Sequence, residues 1–421
     1  MLKKKKEKQN FWQKLGPGFI TGASDDDPSG IATYTQAGAQ FGFGQIWTVI
    51  IMLPLMISVQ EMVGRIGMVC GQGIAAVIKK NYSKWVIYLF VCLIFIANTV
   101  NIGADFGAMA DSMHLLLPQI PFVVLAIIFT VLILVLQIFI SYKTYAKILK
   151  WLALSLFSYL LTLIIVTGSW QEIIFNTIIP HFVLSKEFIL ALTAILGTTI
   201  SPYLFVWQSS EEVEEEISIG RTSIAKRKGA TKEEIKHMRR DTAIGMAFSQ
   251  IITFCIIGTA ASTFFKHGIF DVQTTAQAAS ALEPLAGRFA ALLFSIGIIG
   301  TGLLAIPVLS ASAAYAFAEA FNLKEGLYKK LRQAHGFYGI ITIATLIGLL
   351  INFIGINPIK ALVLAAVLNG IVTPPLLAII LKVANDKKIM GRHRNNRLSN
   401  FFGITTLIFT TTCVVLIFIL K

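Results

Sequence analysis

The sequence predicts an all-α polytopic membrane protein of eleven spans, arranged as an inverted repeat of five plus five helices followed by one more. Three observations carry this prediction. Hydrophobic residues make up 55% of the 421 positions and charged residues only 14%, whereas soluble domains carry about 25% charged residues. Chain length is therefore spent on spans. Basic residues fall almost wholly into alternate connections. Two of the apolar runs, five spans apart, are broken by proline beside polar residues.

Taken in order, the apolar runs lie near 16–40, 46–68, 84–110, 121–142, 147–168, 188–217, 241–265, 286–320, 336–355, 358–384 and 400–420. The run at 286–320 exceeds one perpendicular crossing and must tilt or project beyond the bilayer. With a cytoplasmic N-terminus, the inner segments hold Lys3 to Lys14, Arg65 to Lys84, Lys143 to Lys150, Arg221 to Arg240, Lys324 to Arg332 and Lys382 to Arg397. Of 36 Lys and Arg, only Lys186, Lys266, Arg288, Lys360 and Lys421 then lie outside, leaving 36 − 5 = 31 inside. A missed span would swap every later loop across the membrane, so the positive-inside rule supports both the number of spans and a multi-pass protein of the plasma membrane with its C-terminus outside. The net charge of +14 is then a matter of topology, not of nucleic-acid binding. Residues 1–15 read as a basic cytoplasmic N-terminus, 16–168 as the first repeat, 188–384 as the second and 400–420 as an additional helix, all one transport domain.

Several classes of chemistry are excluded. Cys70, Cys92, Cys255 and Cys413 are scattered without CxxC spacing, so neither a disulfide frame nor a thiolate metal site is expected. All six histidines fall outside the two breaks, and no HExxH, nucleophile elbow or P-loop is present, which argues against an enzyme and against ATP-driven pumping. The apolar run after Lys3 to Lys6 meets an acidic cluster, not a signal-peptidase site.

The first break is Gly22-Ala23-Ser24-Asp25-Asp26-Asp27-Pro28-Ser29-Gly30. A charge at the bilayer centre costs about 2.5–3.5 kcal/mol even on lenient scales, so three carboxylates should line a cavity or bind something positive. The plainer reading is a cytosolic acidic turn before the first true helix. Pro28 and Gly30 break the helix, and broken backbone at that depth is tolerated only against protein or water. The second break is Gly197-Thr198-Thr199-Ile200-Ser201-Pro202-Tyr203. A lone proline in a span is more often a kink. Two at corresponding positions, one beside three acids, point to paired broken helices of an inverted repeat, with backbone groups free to coordinate an ion.

Asp27, a hard oxygen donor directly before the break, is the first candidate ligand for a divalent cation. Ser24, Asp26 and Gly30 flank it. Asp25, about 100° away around the helix, lines a vestibule or carries a proton, since all three aspartates cannot serve one ion. On the sixth span, Ser201 offers a hydroxyl, Thr198 to Ile200 offer carbonyls, and Tyr203 and Gln208 continue the polar line. Gln208, Glu211, Glu212 and Glu215 share a helical face. Gln208 and Glu211 stand evenly between site and helix end, whereas Glu214 to Glu216 read as an interfacial end pairing with the basic loop at Lys226 to Lys228. Asn369, before Thr373-Pro374-Pro375, either supplies an oxygen or bonds a neighbouring helix. Asn98, Asn101 and Asp105 form a bundle-facing stripe, a vestibule wall or proton path. Glu61 and Arg65 pair at i, i+4. The glycines at 103, 107, 297, 300 and 302 let helices approach closely.

At both breaks, in Leu303-Leu304-Ala305-Ile306-Pro307-Val308-Leu309 and in Gly16-Pro17-Gly18, the chain resembles the NRAMP divalent-metal transporters over essentially all its spans. The resemblance implies the LeuT-type fold and transport of divalent metals by alternating access. The family's Asp-Pro-Gly-Asn reads Asp27-Pro28-Ser29-Gly30 here, so the Asp carries over and the coordinating Asn is replaced. Its Met-Pro-His reads Ser201-Pro202-Tyr203, and its second histidine falls at Gln208. The third-span acids align with Asn101 and Ala104, beside Asp105. A thioether favours transition metals. Its loss leaves an oxygen-rich site suited to Mg²⁺ or Mn²⁺, as in the NRAMP-related branch that includes magnesium transporters, and removes the groups expected to carry protons. No cofactor is implied beyond the transported ion. The alternatives are a proton- or sodium-coupled symporter of an organic solute such as an amino acid, disfavoured by three aspartates where a carboxylate would sit, and a non-transporting sensor or scaffold.

Overall fold

Pro28 lacks an N–H and excludes the residue before it from the helical region, so the first apolar run folds as two helices. In the computed structural model, which describes residues 16–140 and 156–420, α1 (Pro17–Asp25) and α2 (Pro28–Phe41) are joined by Asp26 (φ −84°, ψ 61°) and Asp27 (φ −75°, ψ 173°). There follow α3 (Thr48–Cys70), α4 (Ile74–Asn81), α5 (Lys84–Leu116), α6 (Phe122–Phe139), α7 (Phe157–Val166), α8 (Trp170–Ile178), α9 (Lys186–Thr199) and α10 (Pro202–Ser218). The remainder is α11 (Lys232–Thr263), α12 (Thr275–Ser280), α13 (Ala290–Phe321), α14 (His335–Ile351), α15 (Pro358–Asn385) and α16 (Arg397–Ile419). The second break repeats the first: α9 ends at Ile200 (φ −117°, ψ 56°), Ser201 is extended, and Pro202 opens α10.

Nine helices among the described residues are long and apolar enough to cross a membrane, and they coincide with expected spans two to four and six to eleven. The α1–α2 pair is the first. Of the fifth, residues 147–155 lie outside the described residues, as do the basic N-terminus 1–15 and Lys143 to Lys150. Its described part, α7, turns by 119° into α8, a helix where no element is expected; the Ser169 hydroxyl caps it. At 32 residues, α13 would be about 48 Å long at 1.5 Å per residue, so it projects beyond a ~30 Å hydrocarbon layer.

Helices α1, α2 and α3 pack on α11, and α3 carries α10, while α5 carries α6, α13, α14 and α15. The α1–α11 contact is backbone to backbone. A Cβ on Gly22 would lie 2.2 Å from the Gly245 carbonyl, and one on Gly245 2.3 Å from the Gly18 oxygen, so only glycine permits this approach. Asp241 of α11 accepts from the amides of Gly16 (2.9 Å), Gly18 (2.7 Å) and Phe19 (3.3 Å). It thereby satisfies N–H groups that a helix start leaves orphaned and sets a negative charge at the positive end of the helix dipole. A nine-residue helix is marginal alone; α1 owes its order to α11.

The end of the molecule carrying the Arg221–Arg240 connection, here called the basic end, is tied by ion pairs. Glu61 binds Arg65 as the i, i+4 spacing requires, and it also takes Arg239, both at 2.8 Å. Arg65 donates onward to Asn395 at 2.6 Å. The expected pairing of Glu214 to Glu216 with Lys226 to Lys228 is corrected. Glu216 takes Arg221 at 2.6 Å, and Glu214 accepts from the Tyr315 hydroxyl (2.5 Å) and the Leu327 amide (2.9 Å). The reason is packing: α13 and the 322–334 connection cover this part of α10. Close approach at Gly103 is present, 2.7 Å from an added Cβ to the Gly348 oxygen.

Candidate metal site

Asp27 caps α2. Its Oδ1 accepts from the Gly30 amide and the Ser29 hydroxyl, both at 2.7 Å, the role that an aspartate before a proline at the first helical position is suited to. Its Oδ2 accepts from Asn101 Nδ2 of α5 at 2.7 Å. The same Nδ2 lies 3.4 Å from Asp105 Oδ2, and Asn101 Oδ1 accepts from Asn369 Nδ2 of α15 at 3.2 Å. Nδ2 thus faces two carboxylates, which accept from it where they are ionised. One turn along α15, the Thr373 hydroxyl lies 2.8 Å from the Asn369 oxygen and 3.1 Å from the Ile200 oxygen. A buried polar line thus runs from the first break to the second.

Asp25 and Asp26 turn away from this line. The Ser249 hydroxyl of α11 lies 2.7 Å from Asp25 Oδ2 and 3.2 Å from Asp26 Oδ1, one proton between two acceptors. Asp25, Asp26 and Asp105 are fully buried and Asp27 is 2% exposed. Oδ1 of Asp25, Oδ2 of Asp26 and Oδ1 of Asp105 find no partner among the described residues. No ion pair among the described residues involves any of the four. No three His, Cys, Asp or Glu side chains there converge as a ready-made metal cluster, in keeping with aspartates that face different ways. Burying carboxylates without a positive partner is costly, and either a proton or a cation would relieve that cost.

Several expected ligands have other duties. Gly30 lies inside α2 and its amide serves Asp27, and a Cβ there would sit 3.2 Å from the Tyr34 ring. The Ser201 hydroxyl donates back to the Gly197 (2.9 Å) and Thr198 (2.5 Å) carbonyls, the local bonding that serine prefers at a helix end. Neither the Thr198 nor the Ile200 carbonyl is free, the latter serving Thr373. Ser24 and Tyr203 meet each other, Tyr203 OH donating to the Ser24 oxygen at 2.7 Å, which closes α1 against α10. Gln208 lies about 10 Å along α10 from Ser201 by helical rise. It accepts from Thr21 at 2.5 Å and donates to Glu212 at 2.8 Å. Glu211 is buried beyond it on the same helix. Ser249, Thr373, Thr21 and Tyr34, which accepts from Thr198 at 3.0 Å, escape the sequence reading. A serine or threonine in a span bonds its own backbone so often that it carries no signal.

Toward the opposite end, a small cavity lies between α2, α5, α12 and α13, lined by Thr35, Ser112, Thr275 and apolar side chains. The α12 segment covers it, held by a Thr275–Asp111 hydrogen bond and by the Gln36 side chain, which accepts from the Val272 amide at 3.0 Å.

Residues 18–420 match the family model described as natural resistance-associated macrophage protein-like, Nramp. The chain belongs to the Nramp family. Among Nramp relatives, it is 24% identical over 408 residues to the divalent metal cation transporter MntH of Caldanaerobacter subterraneus subsp. tengcongensis, covering 94% of this chain and 90% of that one. It is 26% identical over 386 residues to MntH of Klebsiella pneumoniae subsp. pneumoniae, with 91% and 88% covered. Its fold matches the Eremococcus coleocola manganese transporter in complex with an aromatic bis-isothiourea substituted compound, with a TM-score of 0.72, 18% identity, and 97% and 87% of the two chains covered. The nucleobase-cation-symport-1 transporter Mhp1 in a closed conformation superposes with a TM-score of 0.56 at 13% identity, with 96% and 92% covered. The Nramp chain thus has the LeuT-type fold, with broken first and sixth helices, and is a multi-pass membrane protein.

Proposed function

We propose that this chain is a secondary transporter that carries divalent metal cations across the plasma membrane by alternating access, and that it is not an enzyme. The observation that carries the reading is the set of buried carboxylates at Asp25, Asp26, Asp27 and Asp105, unpaired with any Lys or Arg among the described residues, beside two broken helices. The curated relatives named as divalent metal cation transporters support it. Asp27, Asn101 and Asn369 furnish the oxygen-bearing side chains nearest the first break. Tyr203–Ser24 and Thr21–Gln208–Glu212 close the path toward the basic end, and α12 covers the other.

The basic end faces the cytoplasm in this reading, and residues 16–168 and 188–384 are the two repeats. Import then follows the potential: two charges across 100 mV are worth about 4.6 kcal/mol, at roughly 2.3 per charge, so proton coupling is not required. The two break segments are rich in oxygen and contain neither Met nor His, which suits Mg²⁺ and Mn²⁺ over softer metals.

Proteoliposomes tested for Mn²⁺ and Mg²⁺ uptake, with and without a pH gradient, decide the matter. Flux above that of protein-free vesicles is expected, and its absence under every condition sinks the proposal. Ser201→Met combined with Gly30→Asn should shift preference toward softer ions such as Cd²⁺. The double change must also displace the Tyr34 ring, so folding is checked first.

A further inference from the structure

Asp27 holds three hydrogen bonds, and they differ in origin. Those from Ser29 and Gly30 come from its own segment and travel with it. The third, from Asn101, comes from α5. It ties a separate helix to the break between α1 and α2. It also occupies the oxygen that a cation would use. A metal on Oδ2 would face the N–H hydrogens of Asn101, which repel it. An asparagine resolves this by turning its amide end for end, since it carries both donors and an acceptor. The Asn101 carbonyl, which now accepts from Asn369 at 3.2 Å, would then face the ion.

We propose that Asn101 is a positioning residue that trades partners with the cargo: its amide N–H holds Asp27 while the seat is empty, and its carbonyl turns to the ion when the seat is filled. The inference rests on the transport reading above and deepens it. The empty carrier holds α5 to the first break through this bond, and cation binding releases it. Loading and release from α5 become one event.

Asn101→Asp tests this, because aspartate matches asparagine in size and keeps an oxygen for the ion but has no N–H to give Asp27. In the empty seat two carboxylates would face each other, so the variant should favour the loaded state. In proteoliposomes, KM for Mn²⁺ should fall about tenfold, the worth of one charge-assisted hydrogen bond. Net uptake into metal-free vesicles should slow more than Mn²⁺/Mn²⁺ exchange into preloaded vesicles, because only net uptake must return the carrier with two facing carboxylates and no cation between them. A merely structural role for Asn101 would slow net uptake and exchange alike with KM unchanged, and that result overturns the proposal. Asn101→Leu, uncharged and of similar volume, removes both duties. Its KM should rise about tenfold or more, and a wild-type KM in this variant equally overturns the proposal. Wild-type protein that moves no Mn²⁺ in either mode would refute transport itself, an outcome distinct from wild-type flux without the Asn101→Asp split.

Discussion

Replacing Asp27 by asparagine or by alanine separates two duties that one carboxylate performs, capping α2 and offering charge to a cation. Asparagine caps a helix as well as aspartate does, and its Oδ1 can accept from Gly30 and Ser29 as Asp27 does now. Asp27→Asn should therefore fold with near wild-type stability, once Asn101 turns to face the new amide. Asp27→Ala removes the cap, at about 1 kcal/mol. It also leaves the Ser29 hydroxyl and the buried Asn101 amide short of an acceptor, at about 1 kcal/mol each, so the loss should total about 2–3 kcal/mol. Both variants lose the charge, and Mn²⁺ affinity should drop at least about a hundredfold, roughly 2.7 kcal/mol. Thermal unfolding in detergent reads the first effect, and calorimetric Mn²⁺ titration with vesicle uptake reads the second. Near wild-type transport by Asp27→Asn would show that the charge is not what holds the ion. Equal unfolding temperatures for the two variants would show that the cap counts for nothing.

Two more outcomes follow from packing and from pH. Gly22→Ala would press a Cβ to 2.2 Å from the Gly245 backbone and should cost about 1–3 kcal/mol through overpacking. Gly168→Ala, with nothing within 4 Å of the new atom, should cost far less, and equal losses would contradict the close α1–α11 contact. In the 322–334 connection, the Glu325 carboxyl is pushed up to about 9, by burial first and then by the Glu319 carboxylate, with Lys329, Glu214 and Arg227 also facing it. The folded protein thus keeps a proton that the unfolded chain gives up near the ordinary value of 4.5. The connection should therefore lose stability as pH rises from about 4.5 to 9. Limited proteolysis across that range should show growing cleavage there in wild type and a flat profile in Glu325→Gln, and parallel profiles would reject the assignment.

Both helix breaks are legible in the sequence because proline and charge are local signals: Pro28 and Pro202 stop a helix wherever they stand in one. The spans are legible because bilayer thickness imposes a length. What each broken helix turns toward is not. Asp25 and Asp26 meet Ser249 more than two hundred residues away, and only the packing of α1 on α11 decides that. Gln208 lies on the expected face of α10 about two turns from the break, but that it joins Thr21 to Glu212 depends on how α1 packs beside it. The stripe of Asn98, Asn101 and Asp105 is readable as a bundle-facing surface. That Asn101 grips Asp27, whereas Asn98 donates to the Leu309 carbonyl at 2.8 Å, depends on which neighbours stand opposite each turn. The bonds of Ser201 to the Gly197 and Thr198 carbonyls escape the sequence for a simpler reason: at a helix end, a hydroxyl finds its own backbone first.

The linkage between Asp26 and Asp27 is the short stretch where α1, held by Asp241 and the glycine seam, meets α2. Any rotation of one half-helix against the other must pass through those few torsions, and they carry the acidic side chains with them. If the basic end opens in the transport proposed above, the electrostatic well cannot stay unchanged. A single pivot would then alter the depth of the trap as it clears the exit, and the ion would loosen because the door moves, without a separate trigger.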